Sequence, residues 1–243
     1  MSSETVVIGK DGHPRRGRHM TRLETFTDAA FAFAAAMLAI SIDTVPQNYP
    51  ELIDAIKGAP AFVASFAILL LFWRAHQSWS DRYGLEDMPS VLLTGGLIIV
   101  LMIYVYPLKI LFGAAFFAIS GGWLPSGFRL ENLHEFRVVL TIYSTGFGLM
   151  CLLVSALYFY AASRNQQLQM TVRELFDTRA ESLAWLIVAL VAVLSVVLAW
   201  ALPAAWVALS AWIYCSLAVF GPLFSRAQNK VWQRREASGP RAA

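Results

Sequence analysis

The residue with the clearest capacity for chemistry is Asp28, which stands about a turn and a half inside the first long apolar stretch of the chain. A carboxylate at that depth in a hydrophobic helix is costly unless it faces the interior of a helix bundle and has a partner there. A second interpretation carries about equal weight. Thr25 and Asp28 could cap the start of the helix, where the helix dipole favours negative charge. The position of Asp28 alone leaves both interpretations open.

Three large apolar residues follow that carboxylate on one side of the same helix. Phe33, Met37 and Ile40 recur at i, i+4 and i+7 and therefore share a face. Ala32 and Ala36 are small residues four apart, which lets the helix approach its neighbours closely. In lipid such a stripe carries little meaning by itself, because every face is apolar. It would line a pore only if this helix stood at a central symmetry axis.

The histidines and cysteines do not form a catalytic or metal-binding set. His76 lies towards the end of the second apolar stretch, where it is either a proton-sensitive group or, as we favour, a hydrogen-bonded packing residue. Cys151 and Cys215 fall inside apolar runs and are expected to act as small hydrophobic residues. The sequence therefore predicts no cofactor and no metal site, and it argues against an enzyme.

The composition requires lipid as the solvent. Hydrophobic residues make up 58% of the chain and charged residues only 14%, and the mean hydropathy is +0.57. A soluble domain has about a quarter charged residues and could not hide this much apolar surface. We therefore predict an all-α integral membrane protein embedded in the lipid bilayer. Its net charge of +3 is no argument for nucleic acid as a partner.

The apolar stretches predict a bundle of six transmembrane helices. The uncharged run 182–225 is too long for one crossing, and Pro203 divides it into two helices. The predicted spans are about 23–43, 55–79, 88–111, 138–163, 182–201 and 204–224. The membrane domain then covers 22–225, between a basic segment 1–21 and a basic tail 226–243.

The basic residues predict the orientation of the bundle in the membrane. With the N-terminus inside, the inner segments contain Lys10, Arg15, Arg16, Arg18, Arg22, Arg74, Arg82, Arg164, Arg173, Arg179, Arg226, Lys230, Arg234, Arg235 and Arg241. The outer segments contain only Lys57, Lys109, Arg129 and Arg137. This asymmetry predicts that both termini are cytoplasmic. The longest outer segment, 113–136, is predicted to be an interfacial loop rather than a re-entrant piece.

The start of the first helix resembles a known signature. Arg22-x-x-x-Phe26-Thr27-Asp28, followed by an alanine- and phenylalanine-rich span, is similar to the Arg-x-x-x-Phe-Ser-Asp signature of the prokaryotic transmembrane protein 175 potassium channel family. Thr27 replaces the serine of that signature and keeps a hydroxyl group at the position.

A second similarity lies at the end of the second helix. Trp73 and His76 match the Trp-x-x-His pattern of that family, although Gln77 stands where a second histidine often follows. The six-helix length and the cytoplasmic ends also match, so the resemblance covers nearly the whole chain.

The resemblance implies a passive cation channel, most often for potassium, in the inner cell membrane of a bacterium. Prokaryotic members are homotetramers in which the first helix of each subunit lines one central pore. They lack the carbonyl-lined filter loop of ordinary potassium channels, and this chain likewise has no Gly-Tyr-Gly sequence. The apolar constriction of the family maps onto Phe33, Met37 and Ile40.

The resemblance also implies a network that fixes the first helix against its neighbours. Its members on the first helix are Arg22, Phe26, Thr27 and Asp28, and the expected partners on the second helix are Trp73 and His76.

Two departures from the family pattern affect conduction. Ala36 stands where the family often has a threonine linked with ion preference, and Phe33 is bulkier than the isoleucine or leucine usual at the narrowest ring. Four phenylalanines around one axis could close a pore or gate it by dewetting. Weak selectivity, a tightly closed pore and a non-conducting protein are the alternatives.

The main rival from another class is a secondary transporter or proton-coupled carrier. Such proteins usually have charged residues near the middle of the membrane. Asp28 and His76 are the candidates here, and both are predicted near one face.

Overall fold

The computed structural model describes residues 8–9, 12–17, 20–40, 46–128 and 130–238. These residues are helical apart from turns, loops and an isolated bridge between Ile8 and Pro14. The helices are α1 (Arg22–Ile40), α2 (Tyr49–Lys57), α3 (Ala59–Tyr83), α4 (Met88–Ile119), α5 (Leu133–Ser163), α6 (Val172–Ala201), α7 (Leu209–Trp212) and α8 (Ser216–Ser238). A 3₁₀ turn, Ile213–Cys215, joins the last two. Some residues of the sequence-based predictions lie outside the described ranges, namely Lys10, Arg18, Arg129, Arg241 and the end of the first span, 41–43.

Within the described residues, five helical segments are long and apolar enough to cross a membrane. They are Arg22–Ile40, Tyr49–Tyr83, Met88–Ile119, Leu133–Ser163 and Val172–Ala201. The prediction of an all-helical membrane protein is confirmed at this level.

The sixth predicted span, 204–224, is not one regular helix. Pro203 ends α6 at Ala201, as predicted, because proline has no N–H to continue the helix. The chain then makes turns over 204–208 before α7, the 3₁₀ turn and α8 follow one another without a gap. Helix lengths alone therefore do not establish six crossings.

The bounds of the second and third spans also differ from the prediction. The second was expected at 55–79, but α3 begins at Ala59, and the preceding residues form the separate helix α2. The side chain of Asn48 caps α2 by accepting a hydrogen bond of 3.0 Å from the backbone N–H of Glu51. Helix α4 continues past Pro107 to Ile119, since the residues beyond Lys109 are again apolar. Both ends of the predicted outer loop 113–136 are therefore helical, and the loop between α4 and α5 covers only 120–132.

Small residues allow α5 and α6 to pack closely. The buried face of α6 consists largely of alanine and serine, including Ala189, Ala192 and Ser195. A Cβ atom on Gly148 of α5 would lie 3.1 Å from the Cβ of Ala192. Such close approach of two backbones is the usual basis of helix association in lipid, where apolar surface alone gives no driving force.

The N-terminal segment 12–17 lies across one end of the bundle. The guanidinium of Arg16 donates two hydrogen bonds, of 2.6 and 3.0 Å, to the fully buried carboxylate of Glu174 at the start of α6. The backbone N–H of Gly17 donates to the carbonyl of Asp81 in α3 at 3.1 Å. A Cβ at Gly17 would lie only 2.7 Å from the carbonyl oxygen of Ser80, so this close contact requires glycine.

The contact between α4 and α5 gives a test of this packing. A Cβ at Gly146 would lie 2.5 Å from the Cδ2 of Tyr104, whereas one at Gly95 would meet no heavy atom within 4 Å. We expect Gly146→Ala to lower the free energy of unfolding by about 1–3 kcal/mol, because the tyrosine ring must move. The matched Gly95→Ala should be neutral or stabilising by up to about 1 kcal/mol. Thermal unfolding in detergent measures both, and an unchanged Tm in Gly146→Ala would contradict this packing.

Candidate functional site

A capping box fixes the start of α1. The backbone N–H of Thr21 donates to the carboxylate of Glu24, and the N–H of Glu24 donates to the hydroxyl of Thr21, both at 3.1 Å. The hydroxyl of Thr25 donates to the carbonyl of Thr21. The interpretation in which Thr25 and Asp28 cap the helix is therefore wrong, because Thr21 and Glu24 already do so.

Asp28 instead bonds to a neighbouring helix. The indole N–H of Trp73 in α3 donates a hydrogen bond of 2.8 Å to the Oδ1 of Asp28. Trp73 is half-buried against the hydrophobic core. The carboxylate thus has an interhelical partner, and Trp73 is one of the two partners that the family resemblance implied. Asp28 itself is exposed on the single chain, so it does not face the interior of this bundle.

His76 contacts a different helix from the one expected. It is only 2% exposed, and its Nε2 lies 3.0 Å from the hydroxyl of Thr94 in α4. Of the two interpretations of this histidine, the geometry agrees with the favoured one, a hydrogen-bonded packing residue. Thr94 was not identified from the sequence, where it is one hydroxyl among many.

Trp73 and His76 belong to a row of polar groups along one helix. Trp79, further along α3, donates its indole N–H to the carbonyl of Leu157 in α5 at 2.9 Å. At the end of α3 the hydroxyl of Tyr83 lies 2.8 Å from that of Thr178 in α6. Helix α3 is therefore bonded in turn to α1, α4, α5 and α6, and we call these four side chains (Trp73, His76, Trp79 and Tyr83) the α3 polar row.

The remaining residues of the α1 motif have different environments. Thr27 is buried, and its hydroxyl donates to the carbonyl of Leu23 within the same helix at 2.7 Å. Phe26 is 62% exposed, and Arg22 is also exposed. Within one chain, the motif thus contacts one of its two predicted partners, through the hydrogen bond from Trp73 to Asp28.

Helix α1 has one buried face and one uncovered face. The buried face packs against α3 and α4 and consists of Thr27, Ala30, Phe31, Ala34 and Leu38. On the opposite face Phe33 is 60% exposed, Ile40 is 80% exposed, and Ala36 is exposed as well. Met37 is half-buried and packs against the core. The predicted stripe therefore has two largely exposed members, Phe33 and Ile40, and Met37 lies at its edge.

The uncovered face of α1 has no group for acid–base catalysis, so it acts through its apolar surface. Beyond Asp28, α1 has no titratable side chain up to its end at Ile40. Among the residues that the structure describes, no group of three or more histidine, cysteine, aspartate or glutamate side chains could hold a metal ion. An apolar helix face of this kind can pack on another copy or border a narrow water-filled passage.

Sequence comparison assigns the chain to a family. Residues 22–107 match the family model described as the endosomal/lysosomal potassium channel TMEM175. A protein of Marivirga tractuosa named "Potassium channel" is 31% identical over 202 residues, which cover 80% of this chain and 81% of that protein. The chain belongs to the TMEM175 family. The family resemblance predicted from the first helix is thus confirmed, and an ion channel family is not a family of enzymes.

Solved structures agree with this assignment. A crystal structure of a variant of the potassium channel MtTMEM175, bound to a nanobody fusion protein, has a TM-score of 0.79 and 28% sequence identity. The match covers 92% of this chain and all of that one. A crystal structure of a homolog, from Chamaesiphon minutus, of the lysosomal potassium-selective channel TMEM175 has a TM-score of 0.56 and 19% identity, over 86% of this chain and 97% of that chain. The second match supports the fold alone.

The bond between α1 and α3 can be tested by a double-mutant cycle. Trp73→Phe keeps an aromatic ring but removes the donor to Asp28. We expect Trp73→Phe and Asp28→Ala to couple by about 1 kcal/mol in the free energy of unfolding, because each removes the same hydrogen bond. Trp206→Phe, at a tryptophan that is 61% exposed, is the matched control and should not couple with Asp28→Ala. Additive effects of Trp73→Phe and Asp28→Ala would show that the bond does not stabilise the protein.

Proposed function

We propose that four copies of this chain form a passive potassium channel in the inner membrane of a bacterium, with α1 of each copy lining a central pore. The observation that carries the proposal is the uncovered face of α1. A helix beside a symmetry axis must pack on its own subunit with one face and leave the other free, and α1 has this arrangement. The choice of potassium rests on the names of the relatives.

Contacts between the chain ends support an even number of crossings. His13 and Gln228 both bond the carboxylate of Asp177, at 2.9 and 2.7 Å, so the N-terminal segment and the last helix meet at the same end of α6. The helical run formed by α7, the 3₁₀ turn and α8 would then supply the sixth crossing. The positive-inside bias favours a cytoplasmic location for this end. The proposed membrane domain remains 22–225, with cytoplasmic segments 1–21 and 226–243.

The uncovered face supports an apolar constriction. Phe33 and Ile40 would project towards the axis, with Met37 at the border between pore and core. Rings of such side chains can gate a pore by dewetting. Ala36 would face the same passage without a hydroxyl group to replace ion hydration, so we propose weak discrimination among monovalent cations.

The motif would hold α1 in place for this role. The bond from Trp73 to Asp28 and the burial of Thr27 fix α1 against its own subunit. Arg22 and Phe26, which are exposed on the isolated chain, would contact neighbouring copies near the cytoplasmic end of the pore. His76 would act indirectly, by holding α3 against α4.

Flux through the purified protein tests the proposed function. After reconstitution in liposomes, we expect passive, non-saturating potassium flux that responds to voltage and is accompanied by measurable sodium flux. Potassium flux no greater than in empty vesicles, at every voltage and pH, would overturn the proposal. Saturable uptake coupled to a second gradient would favour the carrier instead.

The size of the residue at the constriction gives a sharper prediction. Phe33→Ala should raise the potassium flux per protein several-fold, because it widens the pore and lowers the dewetting barrier. Phe159→Ala is the matched control, since Phe159 is a phenylalanine of similar exposure, 69%, on α5 rather than on α1. Equal flux in the wild type and in Phe33→Ala would place the gate elsewhere.

A further inference from the structure

Two tyrosine hydroxyls in the interior of the bundle are buried without a hydrogen-bond partner. Tyr104 of α4 is 3% exposed, and Tyr143 of α5 is 5% exposed. Their ring centroids are 5.0 Å apart. Among the residues that the structure describes, neither phenol oxygen has a partner in hydrogen-bond geometry. A buried tyrosine hydroxyl nearly always has a partner, so this pair requires a physical explanation.

The surroundings of the two hydroxyls offer no bulk solvent. Both tyrosines lie in uncharged stretches of the sequence, 88–108 and 138–163, which belong to membrane-spanning helices. Hydrocarbon cannot accept or donate a hydrogen bond, and the low exposure of both side chains excludes bulk water. An unpaired polar group at this depth is unfavourable.

A chain of bonded hydroxyl groups lies beside this pair. The phenol of Tyr214, in the 3₁₀ turn, donates to the hydroxyl of Ser144 at 2.7 Å. Ser144, which follows Tyr143 in the sequence, donates to the hydroxyl of Ser195 in α6 at 3.2 Å. Ser195 donates in turn to the carbonyl of Ser210 at 2.7 Å. We call Tyr214, Ser144 and Ser195 the hydroxyl row, which joins α5 and α6 to the last helical run.

The phenol of Tyr214 is close to both unpaired phenols. It interacts electrostatically with Tyr104 and with Tyr143, and those two phenols also affect each other without forming a hydrogen bond of normal geometry. Because Tyr214 gives its proton to Ser144, the lone pairs of its oxygen can accept a further bond. The three phenols therefore supply two donors and one acceptor in the same part of the interior.

We propose that one water molecule is bound between these three phenols, accepting a hydrogen bond from Tyr104 and from Tyr143 and donating one to Tyr214. Three hydrogen bonds are typical of a buried water molecule. A direct bond between Tyr104 and Tyr143 fits less well, because the proton of the accepting phenol would still lack an acceptor.

The bound water would connect α4 to the hydroxyl row. It would thereby tie α4 to the 3₁₀ turn, where the last helical run is irregular. Irregular backbone at membrane depth is tolerated where it is buried in protein and its polar groups are satisfied. The site lies inside one chain and apart from the uncovered face of α1, so the inference does not depend on ion conduction.

Hydroxyl-radical footprinting with X-ray pulses tests the site on the detergent-solubilised protein. Radicals formed from a bound water modify the side chains beside it, even where bulk solvent does not reach. We expect Tyr104 and Tyr143 to be modified several-fold faster than Tyr83, the matched control. Tyr83 is 1% exposed, but its hydroxyl lies 2.8 Å from that of Thr178 and has no need of water. Equal modification rates for the three tyrosines would overturn the proposal and favour the direct bond.

Removing one donor gives a second readout. Tyr104→Phe should lower the modification rate of Tyr143 several-fold, because the water loses one of its three bonds. It should also lower the Tm by about 2–4 °C. Tyr106→Phe, at an α4 tyrosine that is 53% exposed, is the control and should change neither value. An unchanged or raised Tm in Tyr104→Phe would show that this hydroxyl has no partner, which would contradict a water bound there.

Discussion

The α3 polar row determines how the helices are arranged around one another. In lipid, apolar faces do not drive helices together, so orientation depends on close packing and on interhelical hydrogen bonds. Trp73, His76, Trp79 and Tyr83 each bond a different helix, and their spacing winds these contacts around α3. Three of the four are buried, where a lost bond would leave an unsatisfied polar group. Helix α3 is therefore the element against which α1, α4, α5 and α6 are positioned.

The first contact of that row has the most direct functional consequence. The bond from Trp73 to Asp28 and the packing of the buried face of α1 against α3 and α4 together set the rotation of α1 about its own axis. A shift by one residue would turn the helix by about 100°. With this rotation, Phe33 and Ile40 are uncovered while Phe31 and Leu38 are buried. This rotation of α1 would decide which side chains line the proposed central pore.

Composition was enough to predict a membrane protein, and the short motif at the start of α1 was enough to predict the family. The end of α6 was predictable because Pro203 lacks the N–H that would continue the helix. The sequence could not predict that Met37 would be half-buried while Ile40 is exposed, since every face of a helix in lipid is apolar. The Thr21–Glu24 capping box was present as a recognisable pattern but was not identified. Thr94 could not have been found, because its role depends on which face of α4 meets His76. The division of the last span into α7, a 3₁₀ turn and α8 was also missed, since an uncharged run carries no signal for irregular helix.

The central claim is that the uncovered face of α1 lies at a fourfold axis. The mass of the detergent-solubilised complex, measured by light scattering with the detergent contribution subtracted, tests it most directly. Four chains of 26.9 kDa predict a protein mass of about 108 kDa. A protein mass of 26.9 kDa, that of a single chain, would remove the shared axis and contradict the account.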